Sequence, residues 1–218
     1  MTLIAGMTVS VDYADMFQYA LPSMLPHFDK FLVLTTPEDA ATQELCRQHG
    51  ADCLATDAFF RDGAIFNRGQ ARNEGLERLD LADEDWLAFV DGDMVLPANL
   101  REYMRALDPQ CIYGIQRLMV LTPADWQDYL RTGECRSFRL KNDKRKFWMI
   151  VGFFQLFQTA AFKQHWGGVH PVKNVMEPTD LRFSEKWGRD NQRYLDGIAF
   201  HLGPDGVNWH GRKSERFA

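Results

Sequence analysis

Residues 85–97 read Asp-Trp-Leu-Ala-Phe-Val-Asp-Gly-Asp-Met-Val-Leu-Pro, an apolar run that ends on two carboxylates. The stretch WLAFV at 86–90 carries no polar position on either parity, as expected of a strand buried on both faces of a sheet. Asp91 and Asp93, one residue apart just past that strand, can both face the crevice at its carboxyl end, where open α/β sheets bind their ligands. Carboxylate oxygens suit Mg²⁺ or Mn²⁺, which keep coordination positions for substrate phosphates. Gly92 lets the backbone bend and a diphosphate approach. Asp-Gly is also a common turn dipeptide, so a plain polar turn is the competing reading. The wholly apolar strand before it, and Pro97 soon after it, anchor the turn.

Upstream of that stretch, strand-like and helix-like segments alternate in the manner of βαβ units. A strand is predicted over 2–11, and a helix over 13–25 with Phe17, Ala20, Leu21 and Met24 on one side. KFLVLT at 30–35 reads as a second strand. A helix is predicted from Pro37 to His49, with Thr36 as its cap, Pro37 at its first position and Gly50 at its end. A short strand is predicted over 51–55, a turn at Asp62-Gly63 and a helix over 67–79. Downstream the chain is richer in Gly and aromatics. Strands are predicted over 111–120 and 149–157, separated by a polar, basic stretch at 125–146. A helix is predicted over 179–187, capped by Thr179. With no repeat and no Pro/Ser linker, one domain over 1–218 is expected.

Composition narrows the function. With 45% hydrophobic and 25% charged residues the chain is an ordinary globular one, and its 218 residues can bury a sizeable core. A net charge of −5 argues against non-specific binding to a phosphate backbone. Local basic clusters do occur at 136–146 and at Arg212, Lys213 and Arg216; solvated loops are the plain reading of both, and 136–146 keeps a nucleic-acid acceptor open as a minority one. Cys46, Cys53, Cys111 and Cys135 lack zinc-knuckle spacing, and so few thiols predict a reduced, cytoplasmic protein. The first residues lack a basic region followed by a long apolar one, so no signal peptide is expected. The most apolar run, 147–157, is far shorter than the ~20 residues a membrane helix needs, so no span is expected.

The second functional element is FNRGQARNEG at 66–75. Arg68 and Arg72 are four apart and share one face of a helix start. A helix N-terminus beside guanidinium groups suits an anion, and solvated arginines on a capped helix are the alternative.

Taken together, ARNEG at 71–75 and DGDMVLP at 91–97, with 18 residues from Asn73 to Asp91, resemble the GT-A glycosyltransferases, in particular their family-2-like group. LPSML at 21–25 is similar to the opening helix of that family, and the resemblance covers about the first 100 residues. It implies an α/β, Rossmann-like nucleotide-diphospho-sugar transferase fold around a mixed, mostly parallel sheet. Residues 1–98 would bind the donor and 99–218 the acceptor. It implies that Asp91 and Asp93 hold Mn²⁺ or Mg²⁺ and, with it, the donor diphosphate of an NDP-sugar, a UDP-sugar being favoured. Thr8 and Thr36 fall where the family meets the nucleoside, and Arg68 or Arg72 where it meets the diphosphate or base. TDLRF at 179–183 looks like the helix start whose Asp is the general base of inverting members, although Thr179 stands where the family has an acid. Asp180 is the favoured base and Glu177 the alternative; a carboxylate at a helix N-terminus is kept ionised by the dipole. Several GT-A enzymes place a C-terminal His on the metal. His201 is the better candidate here, with His210 as the alternative and Arg212 beside the departing diphosphate. Trp148, Trp166, Trp187 and Trp209 are candidates for stacking on a sugar, though large aromatics more often fill a core.

The expected reaction is sugar transfer from a nucleotide-sugar to an acceptor hydroxyl on a glycan, a lipid-linked glycan or a modified base, with inversion. A nucleotidyltransferase also uses an α/β sheet and metal-binding acids. It needs a Gly-rich, basic loop after the first strand, and residues 8–15 have neither feature. A non-catalytic nucleotide- or carbohydrate-binding module is the third reading.

Overall fold

The computed structural model describes residues 2–141, 149–161, 183–204, 214, 216 and 217. A single sheet runs through them in the order β3 (Asp52–Ala55), β2 (Lys30–Thr35), β1 (Ile4–Val9), β4 (Trp86–Asp91), β8 (Phe154–Gln158), β6 (Ile112–Val120), β9 (Gln192–Leu202) and β5 (Met94–Val95), with β7 (Arg139–Lys141) paired to β6. Its first part is wholly parallel. It comprises β1 (Ile4–Val9), β2 (Lys30–Thr35), β3 (Asp52–Ala55) and β4 (Trp86–Asp91). Helices α1 (Ala14–Met24), α2 (Ala40–His49) and α3 (Arg68–Leu79) make the crossovers. Both faces of these strands are covered, which explains their unbroken apolar sequences. On one face Phe17, Leu21 and Cys46 pack with Val33, Ala88 and Val90. On the other, Ala71 and Leu79 pack with Met7, Leu34 and Phe89. Gly75 of the ARNEG stretch has a structural cause. A Cβ there would stand 2.8 Å from Met7 Cε and 3.0 Å from Leu34 Cδ2, so its absence lets α3 lie close on the sheet.

Helix α2 corrects one expectation. It begins at Ala40, not at Pro37, and its cap is Asp39, whose carboxylate accepts from the Thr42 amide at 3.1 Å. Thr36 instead gives its carbonyl to the Asp39 amide in the turn ahead of the helix. Asp39 prevails because its carboxylate also accepts from the hydroxyls of Thr35 and Thr42 and from the Asp12 amide. Helix α3 starts as expected, with the Asn67 side chain accepting from the Gln70 amide.

Beyond β4 the sheet changes direction. Strand β8 (Phe154–Gln158) runs antiparallel to β4, and β6 (Ile112–Val120) antiparallel to β8. The strand expected over 149–157 is therefore shorter, because 149–153 leave the ladder before β8 begins. Helix α5 (Pro123–Thr132), capped by the Thr122 side chain, occupies the start of the stretch read as polar and basic. Strand β7 (Arg139–Lys141) lies within the same stretch. Helix α4 (Leu100–Tyr103) follows the short β5 (Met94–Val95). The long β9 (Gln192–Leu202) runs parallel to β6 across a bulge at Gly114/Gln116 and antiparallel to β5. Of the helix expected over 179–187, only 183–187 fall among the described residues; there Phe183 and Trp187 are buried against Phe157. Trp187 is thus a core residue; Trp148, Trp166 and Trp209 lie outside the described residues.

Candidate functional site

The carboxyl end of β4 carries the acidic motif. Asp91 is the last residue of β4 and sits in register with Val9 of β1, and its amide donates to the Phe153 carbonyl at 2.9 Å. Gly92 passes so close to the end of β1 that a Cβ would meet the Val9 carbonyl oxygen at 3.0 Å and Ser10 Cβ at 3.4 Å. A side chain at 92 would crowd the Val9 carbonyl, so the turn or the end of β1 would have to yield by a few tenths of an ångström. Asp93 is fixed from the other side, its carbonyl accepting from the Leu202 amide at 2.9 Å.

That last contact brings in β9. Met94 is in register with His201, and the His201 Nε2 atom stands 3.4 Å from Asp93 Oδ1. This is ion-pair distance if the ring is protonated, yet the atoms are not aligned for a hydrogen bond. Asp93 Oδ1 is buried with no hydrogen bond among the described residues. The other face of the ring is held, with Nδ1 3.4 Å from Met119 Sδ of β6. His201 is only 5% exposed, which fixes its orientation.

On the opposite side stand the two arginines of α3. Arg68 Nη1 is 3.9 Å from Asp91 Oδ1. The Arg72 guanidinium lies over the Phe89 ring at 4.4 Å from its centroid. Burial pushes the Asp91 carboxyl above the ordinary carboxylate range, and the Asp93 charge adds to that. Arg68, Arg72 and His201 pull the other way. The Asp91 side chain keeps 32% of its surface open, so its desolvation comes from the protein mass around the crevice rather than from full enclosure.

The structure thus brings together Asp91, Asp93, His201, Arg68 and Arg72. It does not bring Thr8 to an open crevice. Thr8 is 1% exposed, on the same parity of β1 as Gly6, the side covered by α1 and α2. Thr36 is also buried, beneath the turn that leads into α2. Ser10, Asp12 and Asp39 stand at the strand ends instead. Asp180, Glu177, Arg212 and His210 lie outside the described residues. Of the basic run at 136–146, Arg136 pairs with Glu134, and Arg139 belongs to β7.

The reading from sequence missed Asp39 and β9. An Asp three residues before Thr42 is a cap signal that Pro37 obscured. In β9 the residues Leu195, Gly197, Ala199 and His201 are buried and Asp196 and Ile198 exposed, a period-two pattern that marks a strand.

Asp91, Asp93 and His201 are of the types that suit a divalent cation, and Asp93 Oδ1 is buried with no hydrogen bond among the described residues. Among the described residues no group of three or more His, Cys, Asp or Glu is gathered tightly enough to hold a metal ion by itself. No helix among them is long and apolar enough to cross a membrane.

No protein-family model matches the chain, and no curated protein does. Solved structures do share its fold. One is glucosyl-3-phosphoglycerate synthase from Mycobacterium tuberculosis in complex with Mn²⁺ and UDP-glucose, with a TM-score of 0.57 at 11% identity over 94% of this chain and 73% of that one. Another is a 4-diphosphocytidyl-2C-methyl-D-erythritol synthase, at 0.52 and 12% over 90% of each chain. The corresponding synthase of Anaerococcus prevotii gives 0.51 and 10%, over 97% of this chain and 90% of that one. At such identities the likeness concerns the fold: this chain has the mixed α/β, Rossmann-like architecture of GT-A nucleotide-sugar transferases.

Proposed function

We propose that this protein is a metal-dependent glycosyltransferase that moves a sugar from a nucleoside-diphosphate sugar, a UDP-sugar being favoured, to an acceptor hydroxyl. The observation that carries this reading is the pair Asp91 and Asp93 at the end of β4, set between Arg68 and His201, with Asp93 Oδ1 buried and without a hydrogen bond among the described residues. A similar fold crystallised with Mn²⁺ and UDP-glucose supports it at the level of fold.

In this reading Asp91 and Asp93 hold Mn²⁺ or Mg²⁺, and His201 is the further candidate ligand. The bound cation supplies positive charge to a departing diphosphate. The residues of the chain do the rest. Arg68 and Arg72, at the start of α3, add cationic charge where the diphosphate would gather. Phe153 supports the motif through its carbonyl bond to Asp91. Asp180, or Glu177 in its place, accepts the acceptor proton, and in-line attack inverts the anomeric centre. Residues 1–98 serve the donor and 99–218 the acceptor. The unpaired thiols of Cys46, Cys53, Cys111 and Cys135 accord with a reducing, cytoplasmic setting.

Nucleotidyl transfer is the second reading, because cytidylyl-transfer enzymes share the architecture. The turn at 10–13, Ser-Val-Asp-Tyr, offers neither the glycines nor the cations that a triphosphate needs, which favours the first reading. A thermal-shift screen of UDP, GDP, CDP and dTDP and of the corresponding triphosphates, with and without Mn²⁺, tests both, followed by product analysis with the matching NDP-sugars and triphosphates. Metal-dependent stabilisation by a diphosphate, with sugar transfer or donor hydrolysis, is expected. Stabilisation by a triphosphate with release of pyrophosphate would replace this function with the second. No response to any nucleotide would remove both.

A further inference from the structure

The turn between β1 and α1 is held by residues from the far end of the sequence. Arg216 Nη2 donates to Asp12 Oδ1 at 2.7 Å and Nη1 to the Asp12 carbonyl at 3.3 Å, across 204 positions. Arg216 Nη1 also stands 3.7 Å from Asp15 Oδ1, and the Phe217 amide donates to Asp15 Oδ2 at 2.6 Å. The two residues therefore grip both acids that bracket the start of α1.

An exposed ion pair alone fixes little, because solvent screens it and side-chain entropy opposes it. Here the neighbouring residue supplies the anchor. Phe217 is 1% exposed, packed with Met16, Val120, Trp126 and Leu202. Gly203, with φ +83°, leaves the space beside it: a Cβ there would meet Met16 Cε at 2.9 Å and Phe217 Cε2 at 3.9 Å. The ring is thus wedged between α1, α5 and the end of β9, and it carries Arg216 to the turn.

The turn in question needs holding. Asp12 has φ 60°, a left-handed conformation that costs energy for any residue with a Cβ. Its amide donates to Asp39 Oδ2 at 2.8 Å, and the same oxygen accepts from the Thr42 hydroxyl. Thr42 Oγ1 is 3.4 Å from Ser10 Oγ, and Ser10 abuts Gly92, between the two acids of the motif. One run of contacts therefore joins Arg216 to the acidic turn through Asp12, Asp39, Thr42 and Ser10.

We infer that Arg216 and Phe217 are positioning residues for the donor nucleotide: they clamp residues 10–15 in the shape that the nucleotide meets. This rests on the proposed function for the identity of the ligand, but the clamp itself is a property of the fold and is measurable without one. Arg216 touches neither the motif nor α3, so its effect is on the turn rather than on the chemistry.

The test combines two readouts on the full chain. Hydrogen exchange of the 10–15 amides, with no ligand present, reads the clamp. Arg216→Ala is expected to speed exchange there and to leave β4 and α3 protected. Donor kinetics read the consequence. Arg216→Ala is expected to raise the KM for the NDP-sugar about three- to fivefold, the range for losing an exposed but anchored ion pair. The kcat at saturating donor and the acceptor KM should stay put, and Arg216→Lys should recover most of the loss. Asp12→Asn keeps the left-handed turn but removes the charge that Arg216 meets, and should reproduce part of the donor effect from the turn side. Unchanged exchange at 10–15 in Arg216→Ala would overturn the clamp. Faster exchange with an unchanged donor KM would leave a purely structural contact and overturn the positioning role. If the wild-type chain accepts no nucleotide, the proposed function fails, and the donor role fails with it whatever the exchange shows.

Discussion

The two halves of the sheet are built by different means. From β1 to β4 each strand is joined to the next by one helix, every pairing is parallel, and each element is legible in a short window of sequence. From β8 to β5 the strands are antiparallel or return over long distances, and β9 closes the sheet by pairing with β5 and β6 together. The candidate site lies on the seam. Asp91, Arg68 and Arg72 come from the regular half, and His201 comes from the returning strand. A local motif therefore supplies the charge, and a long-range register decides what faces it.

If the regular half carries the chemistry, the largest effect belongs to its carboxylates. Asp91→Asn should lower turnover about 10²–10³-fold, the range for removing one charge-stabilising group. Folding stability should hold or rise, because the Asn removes a desolvated charge beside Asp93. Activity and urea midpoint measured on the same preparation check both.

The contribution of the returning half is expected to be smaller. His201→Ala should raise the Mn²⁺ concentration for half-activation about 10- to 100-fold, the range for a residue that ligates or orients a metal site. A Mn²⁺ titration of activity reads it. An unchanged requirement would confine the metal site to the regular half.

Two glycines sharpen the same comparison. Gly75→Ala points a Cβ at the flexible ends of Met7 and Leu34, which can yield, and should cost at most about 1–2 kcal/mol against the helix propensity gained, with donor affinity kept. Gly92→Ala meets the Val9 carbonyl and should weaken donor binding more than it weakens the fold. Urea unfolding beside a nucleotide titration separates the two.

The smallest expected effect is a pH dependence at the edge of the regular half. His27 is buried, and desolvation, reinforced by the charge of Arg101, holds its pKa below the ordinary 6.5. The folded ring then refuses a proton that the unfolded chain accepts. Stability should fall as the pH drops below 6.5, and His27→Gln should flatten that slope. Thermal melts from pH 5 to 8 are sufficient to see it.

What could be read from sequence follows the same division. The strands around WLAFV and KFLVLT declare themselves by apolar runs, and α3 declares itself by Asn67 and its helical spacing. Pro37, a good first helical residue, hides the true start of α2 at Ala40. The deciding bond, from the Asp12 amide to Asp39, joins residues 27 apart and leaves no local mark. The family resemblance puts Thr8 at the nucleoside, whereas its parity on β1 buries it beneath α1 and α2. In the sequence His201 is an isolated histidine after an apolar stretch. Its closeness to Asp93 depends on the β5–β9 register, which no window of sequence contains.

Calorimetry of UDP binding to the wild-type chain and to Asp93→Asn, each with and without Mn²⁺, bears most directly on the central claim. The expected result is binding by the wild type that depends on Mn²⁺ and is lost in Asp93→Asn while the melting temperature holds. Equal binding by both proteins, or binding indifferent to Mn²⁺, would contradict the assignment of that carboxylate to a metal–diphosphate site.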